Sequence, residues 1–215
     1  MDLTDVVTGW SEPVAIKNKA HVWIVAAMDE ITARMPFDLL GMDFDNGSEF
    51  INYALIGWAA DRDIHLTRSR PYKSNDNAHI EQKNGDLVRR NVFHYRYDTN
   101  AELVLLNELY GYLRLRFNLF TATKKATGWV TRANGRHVRV YDKPKTPYQR
   151  VLDSGAVTEV KTAELIALRK ATNPAELTRQ ITRIQNQLIT LAAAKTAAHT
   201  RAETDEARAT TTRAS

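Results

Sequence analysis

Between Asp2 and Ser69 the apolar pattern changes period repeatedly, and this limits the chain to folds in which strands and helices take turns. The opening "DLTDVV" alternates and is rich in β-branched residues, "TGW" reads as a turn, and "EPVAIK" reads as a second strand, so a hairpin is expected. From Lys19 to Arg34 the residues Val22, Ile24, Val25, Ala26 and Ile31 predict a mostly apolar helix that Pro36 stops. "FDLLGMDF" follows as a short buried strand. Ser48 to Asp61 sets Phe50, Ile51, Ala54, Leu55 and Trp58 at helical spacing, and "DIHLTRS" reads as another strand. This alternation predicts an α/β layer structure whose functional edge lies where strands hand over to helices.

Downstream, "SRPYKSNDNAH" is a polar breaker stretch that leads into a helix from about Asp76 to Phe93. A second helix is expected from about Asn100 to Phe120, with Leu103, Leu106, Leu109, Tyr110, Leu113 and Phe117 along one side. "TATKKATGWVTRANGRHVRVYDKPKTPYQRV" then mixes basic residues with Trp129, Tyr141 and Tyr148, as a small β-rich arm would. In "TNPAEL", Asn173 suits an N-cap, Pro174 the first helical position and Glu176 the third. Leu177, Ile181, Ile184, Leu188 and Leu191 continue as a heptad seam that fits a coiled-coil partner or packing back on the core equally well. The expected divisions are an α/β core over 1–122, a basic β-rich arm over 123–155, a helical extension over 156–200 and a disordered tail over 201–215.

A chain of 215 residues with 43% hydrophobic content can bury one real core and an appendage. It contains no cysteine, which removes disulfide frameworks and thiolate metal sites and suits a reducing cytosol. Apolar runs such as "LVLL" and "HVWIVAAM" are too short to span a bilayer, and Met1 opens no signal peptide, so no membrane partner and a cytoplasmic location are expected. The net charge of +5 conceals an asymmetry: 4 basic against 11 acidic side chains over residues 1–66, 17 against 7 over 67–150, and 9 against 7 over 151–215. A basic block beside an acidic one suits a polyanion-binding surface next to a cation-binding pocket, and it also suits ordinary solvated charge.

Asp45 follows a predicted strand, and Asn46-Gly47 supplies a turn that would leave its carboxylate exposed at the strand end. Alone, "DNGS" is turn chemistry. Glu81, however, lies one turn inside a helix that begins in a polar loop, with Asn77 one turn behind it and 35 residues between it and Asp45. With "DNGSEF", "RPYKSNDNAHIEQKN" and that interval, the chain resembles the integrase-core transposases of bacterial insertion sequences and, more distantly, retroviral integrases. The similarity extends over roughly residues 1–150, including "YDTNAELVLLNELYGYLRLRFNLF" and "YDKPKTPYQRV".

The resemblance implies a ribonuclease H-like fold and metal-dependent cleavage and strand transfer of double-stranded DNA at element ends, by a homo-oligomer. Phosphodiesters resist attack because nucleophile and substrate are both electron-rich. Two Mg²⁺ (or Mn²⁺) about 3.5–4 Å apart answer both problems and require hard oxygen ligands. By resemblance Asp45 and Glu81 are two of the three acids. The third belongs on the family's first strand, whereas "MDLTDVVTGWSEPVAI" resembles its second and third, so the expectation is a core that lacks that strand and is impaired as an enzyme. A non-catalytic remnant that binds DNA or an intact partner is the alternative. Asp5 is expected to be a strand-end residue, and Asp43 a surface acid on the same strand face as Asp45.

Six histidines form no pair at metal-site spacing. Lys73, Lys83, Arg89, Arg90, Lys124, Lys125, Arg132, Arg136 and Arg139 are the expected phosphate contacts. Trp58 and Trp129 are expected to be packing residues.

Overall fold

The structure, a computed structural model, describes residues 1–44, 53–68, 88–93 and 95–213, with side chains placed to residue 201 apart from that of Arg68. It is mixed α/β, as expected. Strands β1 (Asp2–Thr4) and β2 (Ser11–Pro13) pair antiparallel as the expected hairpin, with Leu3 opposite Glu12. Helix α1 (His21–Arg34) buries Ile24, Ala27, Met28 and Ile31, the three-and-four spacing of one helical face. Strands β3 (Gly41–Phe44) and β4 (His65–Arg68) pair parallel across helix α2 (Tyr53–Ala60). A parallel pair needs such a crossover, because the chain must return to the starting edge.

After the short α3 (Arg90–Val92) comes the longest fully packed helix, α4 (Asn100–Phe120), whose bounds match those read from the sequence. Strands β5 (Ala126–Thr131) and β6 (His137–Tyr141) form the expected antiparallel arm. Helices α5 (Pro147–Ser154), α6 (Glu159–Ala171) and α7 (Pro174–Arg213) complete the chain. Helical backbone thus continues where the tail from residue 201 reads as disordered, in keeping with its content of good helix formers.

The described strands make three separate two-stranded sheets rather than one layer. Helix α4 explains why the hairpin stops at β2. The Asn118 amide accepts from Ser11 N–H at 2.9 Å and donates to Ser11 C=O at 2.8 Å. Asn107 does the same at Ala15, at 2.9 and 3.0 Å. Each side-chain amide supplies one acceptor and one donor, as a neighbouring strand would, so the helix covers an edge that would otherwise invite pairing.

Three apolar clusters follow. One joins Trp10, Val14, Ala27, Ile31, Leu119, Val151 and Leu165, tying α5 and α6 to the hairpin. A second, around Ile24, Met28, Met42, Leu55, Trp58 and Ile64, sits under β3 and β4. A third packs Leu109, Tyr110 and Leu113 of α4 against Ile181, Ile184 and Leu188 of α7. The heptad seam therefore packs within the chain. Its last member shifts from Leu191, 39% exposed, to buried Ala192, because a straight helix turns every 3.6 residues and drifts off a 3.5-residue repeat.

Glu12 is fully buried between the clusters. Its Oε2 lies 3.0 Å from Arg114 Nε and 3.4 Å from Arg34 Nε, and Oε1 accepts from Trp10 Nε1 at 2.9 Å. Burial pushes the Glu12 carboxyl above its ordinary value, opposed by Arg114, Trp10 and Arg34. One carboxylate thereby connects the hairpin to α1 and α4.

Candidate nucleic-acid interface

Two parts of the fold bear on the expected site: the carboxyl edge of the β3–β4 pair, and the β5–β6 arm.

In the parallel pair Gly41 faces His65, Met42 faces Leu66, Asp43 faces Thr67 and Phe44 faces Arg68. Met42 points into the core at 5% exposure, while Asp43, the next residue, is exposed, as alternation requires. Asp43 Oδ1 accepts from the Thr67 hydroxyl at 2.8 Å, so this carboxylate ties the two strands together at the surface. Asp45 follows Phe44 directly in the chain. It lies outside the described residues, as do Glu81, Lys73 and Lys83. The pair is described as far as Phe44 and Arg68, and because its strands are parallel both chains run toward the same side there. Among the described residues no group of three potential metal ligands is found.

Asp5 is taken up by local structure. Its Oδ2 accepts from Thr8 N–H and from the Thr8 hydroxyl, each at 2.6 Å, and its backbone carbonyl accepts from Gly9 N–H at 2.8 Å. Such bonding organises the tight turn after β1 and accords with the reading of Asp5 as a strand-end residue.

The arm stands away from the core: all of β5 is exposed, and β6 is exposed except for half-buried Val138. Trp129 is 62% exposed, a correction to the expectation that it packs, and Arg139 directly opposite lies 5.2 Å from its ring centroid. Trp58 does pack, at 5% exposure, with its Nε1 donating to Asp29 at 2.7 Å. At the arm's tip Arg132 N–H donates to Arg136 C=O at 2.9 Å, and Gly135, at φ 77°, closes the loop in a conformation that side chains resist. Arg132, Arg136 and Arg139 are exposed along this ribbon, and Lys124 is exposed at its base.

Lys125 has a different use. Its ammonium donates to the carbonyls of Val6 and Val7 and so fastens the arm to the hairpin turn. The base is stitched further by Arg150, which donates to Asp142 at 2.5 Å and to Thr123 C=O at 2.8 Å. The Arg150 hydrogen bond, then the one from Lys125 N–H, hold the Asp142 carboxyl down at about 2. From Lys124 to Lys145 the arm carries seven Lys or Arg and one acid, and that acid is the one neutralised at the base. The exposed part is therefore uniformly cationic, which is the electrostatic footprint of a phosphate-binding surface.

Arg89 and Arg90 are exposed on and beside α3, at the far end of α4 from the arm. Sequence reading singled out neither the aromatic run that follows them, Phe93, Tyr95 and Tyr97, nor the capping of α5, although "TPYQ" followed by Gly155 announces a helix in plain terms. Thr146 and Gln149 form a capping box there, Pro147 starts the helix, and Gly155 ends it at φ 65°.

No family model matches the chain. An uncharacterized protein of Sinorhizobium fredii, y4rM, is 39% identical to it over 150 residues, which are 70% of this chain. The chain spans about 43% of the length of that relative. No described helix is long and apolar enough to cross a membrane.

Proposed function

We propose that the chain is the DNA-handling part of an integrase-type transposase with a ribonuclease H-like core, acting on double-stranded DNA by metal-dependent cleavage and strand transfer. The observation that carries the reading is the parallel pairing: β3 and β4 run in one direction, so the chain heads toward the "DNGSEF" motif and toward the segment bearing Glu81 from the same side of the pair. Ligand sites in α/β structures collect at the carboxyl ends of parallel strands. The exposed position of Asp43 on that edge supports a site open to solvent and substrate.

Asp45 and Glu81 would supply hard oxygen ligands for Mg²⁺ or Mn²⁺. Bound there, the metal would activate the attacking hydroxyl and stabilise the leaving oxygen. The chain's own cations do the rest. Arg132, Arg136, Arg139 and Lys124 on the arm, with Arg89 and Arg90, hold phosphates and fix the duplex in place, which gives affinity with little base reading. A homo-oligomer would bring two DNA ends together.

The test is binding and nicking of end-sequence duplex by the 215-residue chain, with and without Mg²⁺, beside Asp45→Asn and Glu81→Gln. The reading expects duplex affinity that falls steeply with salt, and any Mg²⁺-dependent nicking to vanish in both variants. Duplex binding with no nicking under any metal would leave the non-catalytic DNA-binding remnant. No duplex binding at low salt would remove DNA as the partner.

A further inference from the structure

Between α3 and α4 the chain presents three aromatic rings in succession. Phe93 and Tyr95 meet edge to face with centroids 6.5 Å apart, and Tyr95 and Tyr97 do the same at 6.5 Å. In edge-to-face contact neither partner consumes both faces of the other, and Phe93 and Tyr95 remain 39% and 45% exposed. Two such rings would ordinarily find the core. Here the backbone works in the opposite sense: Phe93 has φ 58° and ψ −160°, a region that glycine alone enters without strain, and a bulky ring occupies it while staying at the surface.

The rings stand on a fixed support. The Tyr97 hydroxyl donates to Val92 C=O at 2.7 Å, and Tyr97 and Val92 pack on the α4–α7 cluster. Gln185 of α7 donates to Asn91 C=O at 2.9 Å, and Lys195 donates to Arg96 C=O at 2.5 Å, so α7 grips the run on both sides. A surface ordered in advance loses little freedom when it binds.

Charge selects the class of occupant. Residues 89–97 contain Arg89, Arg90 and Arg96 and no acid. Asp98, the next carboxylate, is engaged by Lys195 at 2.7 Å and by Arg96 at 2.9 Å. Exposed rings interleaved with guanidinium groups match a strand that offers alternating bases and phosphates. A closed duplex hides its base faces; only unpaired nucleotides offer them for stacking.

We propose that Phe93 and Tyr95, supported by Tyr97, form a stacking platform for unpaired nucleobases of DNA, with Arg89, Arg90 and Arg96 taking the flanking phosphates. This rests on the DNA reading above and names a part of the substrate that reading leaves open: a frayed or single-stranded segment beside the duplex held by the arm.

The experiment measures affinity of the full 215-residue chain for a fluorescent single-stranded oligothymidine, a blunt duplex, and the same duplex with a single-stranded overhang. Variants are Phe93→Leu and Tyr95→Leu, which keep apolar bulk without the ring, and Phe93→Gly, which also relieves the backbone. Each loss of a ring should weaken single-strand and overhang binding roughly 5- to 100-fold. Blunt-duplex binding should change less than about twofold and the salt dependence should stay the same, because stacking releases no counterions. Phe93→Gly should raise the melting temperature while lowering single-strand affinity, a pair of opposite shifts that a purely structural role cannot produce. Duplex binding intact with single-strand affinity indifferent to all three variants would overturn the platform and leave the DNA reading standing. Variants that change the oligomeric state and not the affinity for DNA would make this face a protein interface, which also overturns it. Failure of the parent chain to bind either form of DNA would sink both readings together.

Discussion

The α4–α7 pair and the β5–β6 arm both carry many charged side chains and treat them in opposite ways. Along α4 and α7, ionisable groups are turned inward on one another. Glu102, 1% exposed, accepts from Thr99 N–H and Asp98 N–H, each at 2.9 Å, and from Lys195 at 3.0 Å. Arg183 reaches Glu108 at 2.6 Å. Along the arm only the base is paired, and the ribbon beyond it presents Arg132, Arg136 and Arg139 to solvent with a single exposed tryptophan among them. A two-stranded ribbon with both faces exposed buries too little apolar surface to hold itself together, so it depends on the stitching at its base. The contrast separates a scaffold, where charge fixes geometry, from a contact surface, where charge is kept for a partner.

The largest effect should come from the scaffold. Leu113 is fully buried against α7, and Leu113→Ala should destabilise the chain by about 2–5 kcal/mol, through the lost transfer energy and the cavity left behind. Val130→Ala on the exposed face of the arm should stay within about 0.5 kcal/mol. Urea unfolding measures both. Equal effects would mean that the arm is packed against something in solution and that the comparison fails.

The arm should respond in binding instead. Replacing Arg132, Arg136 and Arg139 together by Ala should weaken duplex binding roughly 10- to 100-fold near 0.1 M salt, and reduce the slope of log affinity against log salt by about 0.9 for each phosphate left without its cation. The melting temperature should hardly move. A large drop in melting temperature would place these arginines in the scaffold.

How far these assignments could be read beforehand depends on the range of the interaction. Helices α1 and α4 were legible because their apolar spacing and local signals act within a few residues, and Thr99 and Glu102 cap α4 as a box that sequence alone contains. The parallel β3–β4 pair was legible as two strands and a helix, but the sequence cannot say that the described strands separate into three sheets. Nor can it say that Asn107 and Asn118 reach across from α4 to cover the edge of the hairpin, contacts separated by 92 and 107 positions. The same holds for Lys125, which reads as a phosphate ligand and whose ammonium anchors the arm, and for Glu12, whose burial nothing local reports. Trp129 was expected to pack because tryptophan usually does; nothing local reports that the ribbon carrying it stands clear of the core. Of the candidate site, the arm and its cations were legible as a basic block, while Asp45 and Glu81 rest on the motif.

A smaller, pH-dependent effect tests the scaffold's inward charge. Burial alone would raise the Glu102 carboxyl, but hydrogen bonds from Thr99 N–H, Lys195, Asp98 N–H and the Thr99 hydroxyl outweigh it and hold it at about 2, against 4.5 for an unperturbed glutamate. A carboxylate whose folded value is depressed adds stability that is complete above the unfolded value and is lost as pH falls toward the folded one. Glu102→Gln should therefore cost about 1–3 kcal/mol at pH 7, with the difference from the parent chain closing between about pH 4.5 and about pH 2. Stability curves that run parallel across that window would show that the contacts of Glu102 contribute shape alone.

The smallest expected effect concerns the exposed ribbon of the arm, where one of its cations lies against one of its own rings. Arg139 sits 5.2 Å from the Trp129 ring centroid, directly opposite in register. Water surrounds both partners and screens the attraction, so the pair should contribute about 0.5–1 kcal/mol to closure of the hairpin. Trp129→Ala, Arg139→Ala and the double variant form a cycle that isolates the coupling, read from amide hydrogen exchange of Val130 and Val138. The sign matters for the contact surface as well. If Arg139 is committed to the ring, Arg139→Ala should weaken duplex binding less than Arg132→Ala or Arg136→Ala, and Trp129→Ala should leave duplex affinity nearly unchanged or improve it by freeing the guanidinium. A fall in duplex affinity on Trp129→Ala as large as that on Arg132→Ala would show that the ring itself touches DNA, and the arm would then carry an aromatic contact in addition to its charges.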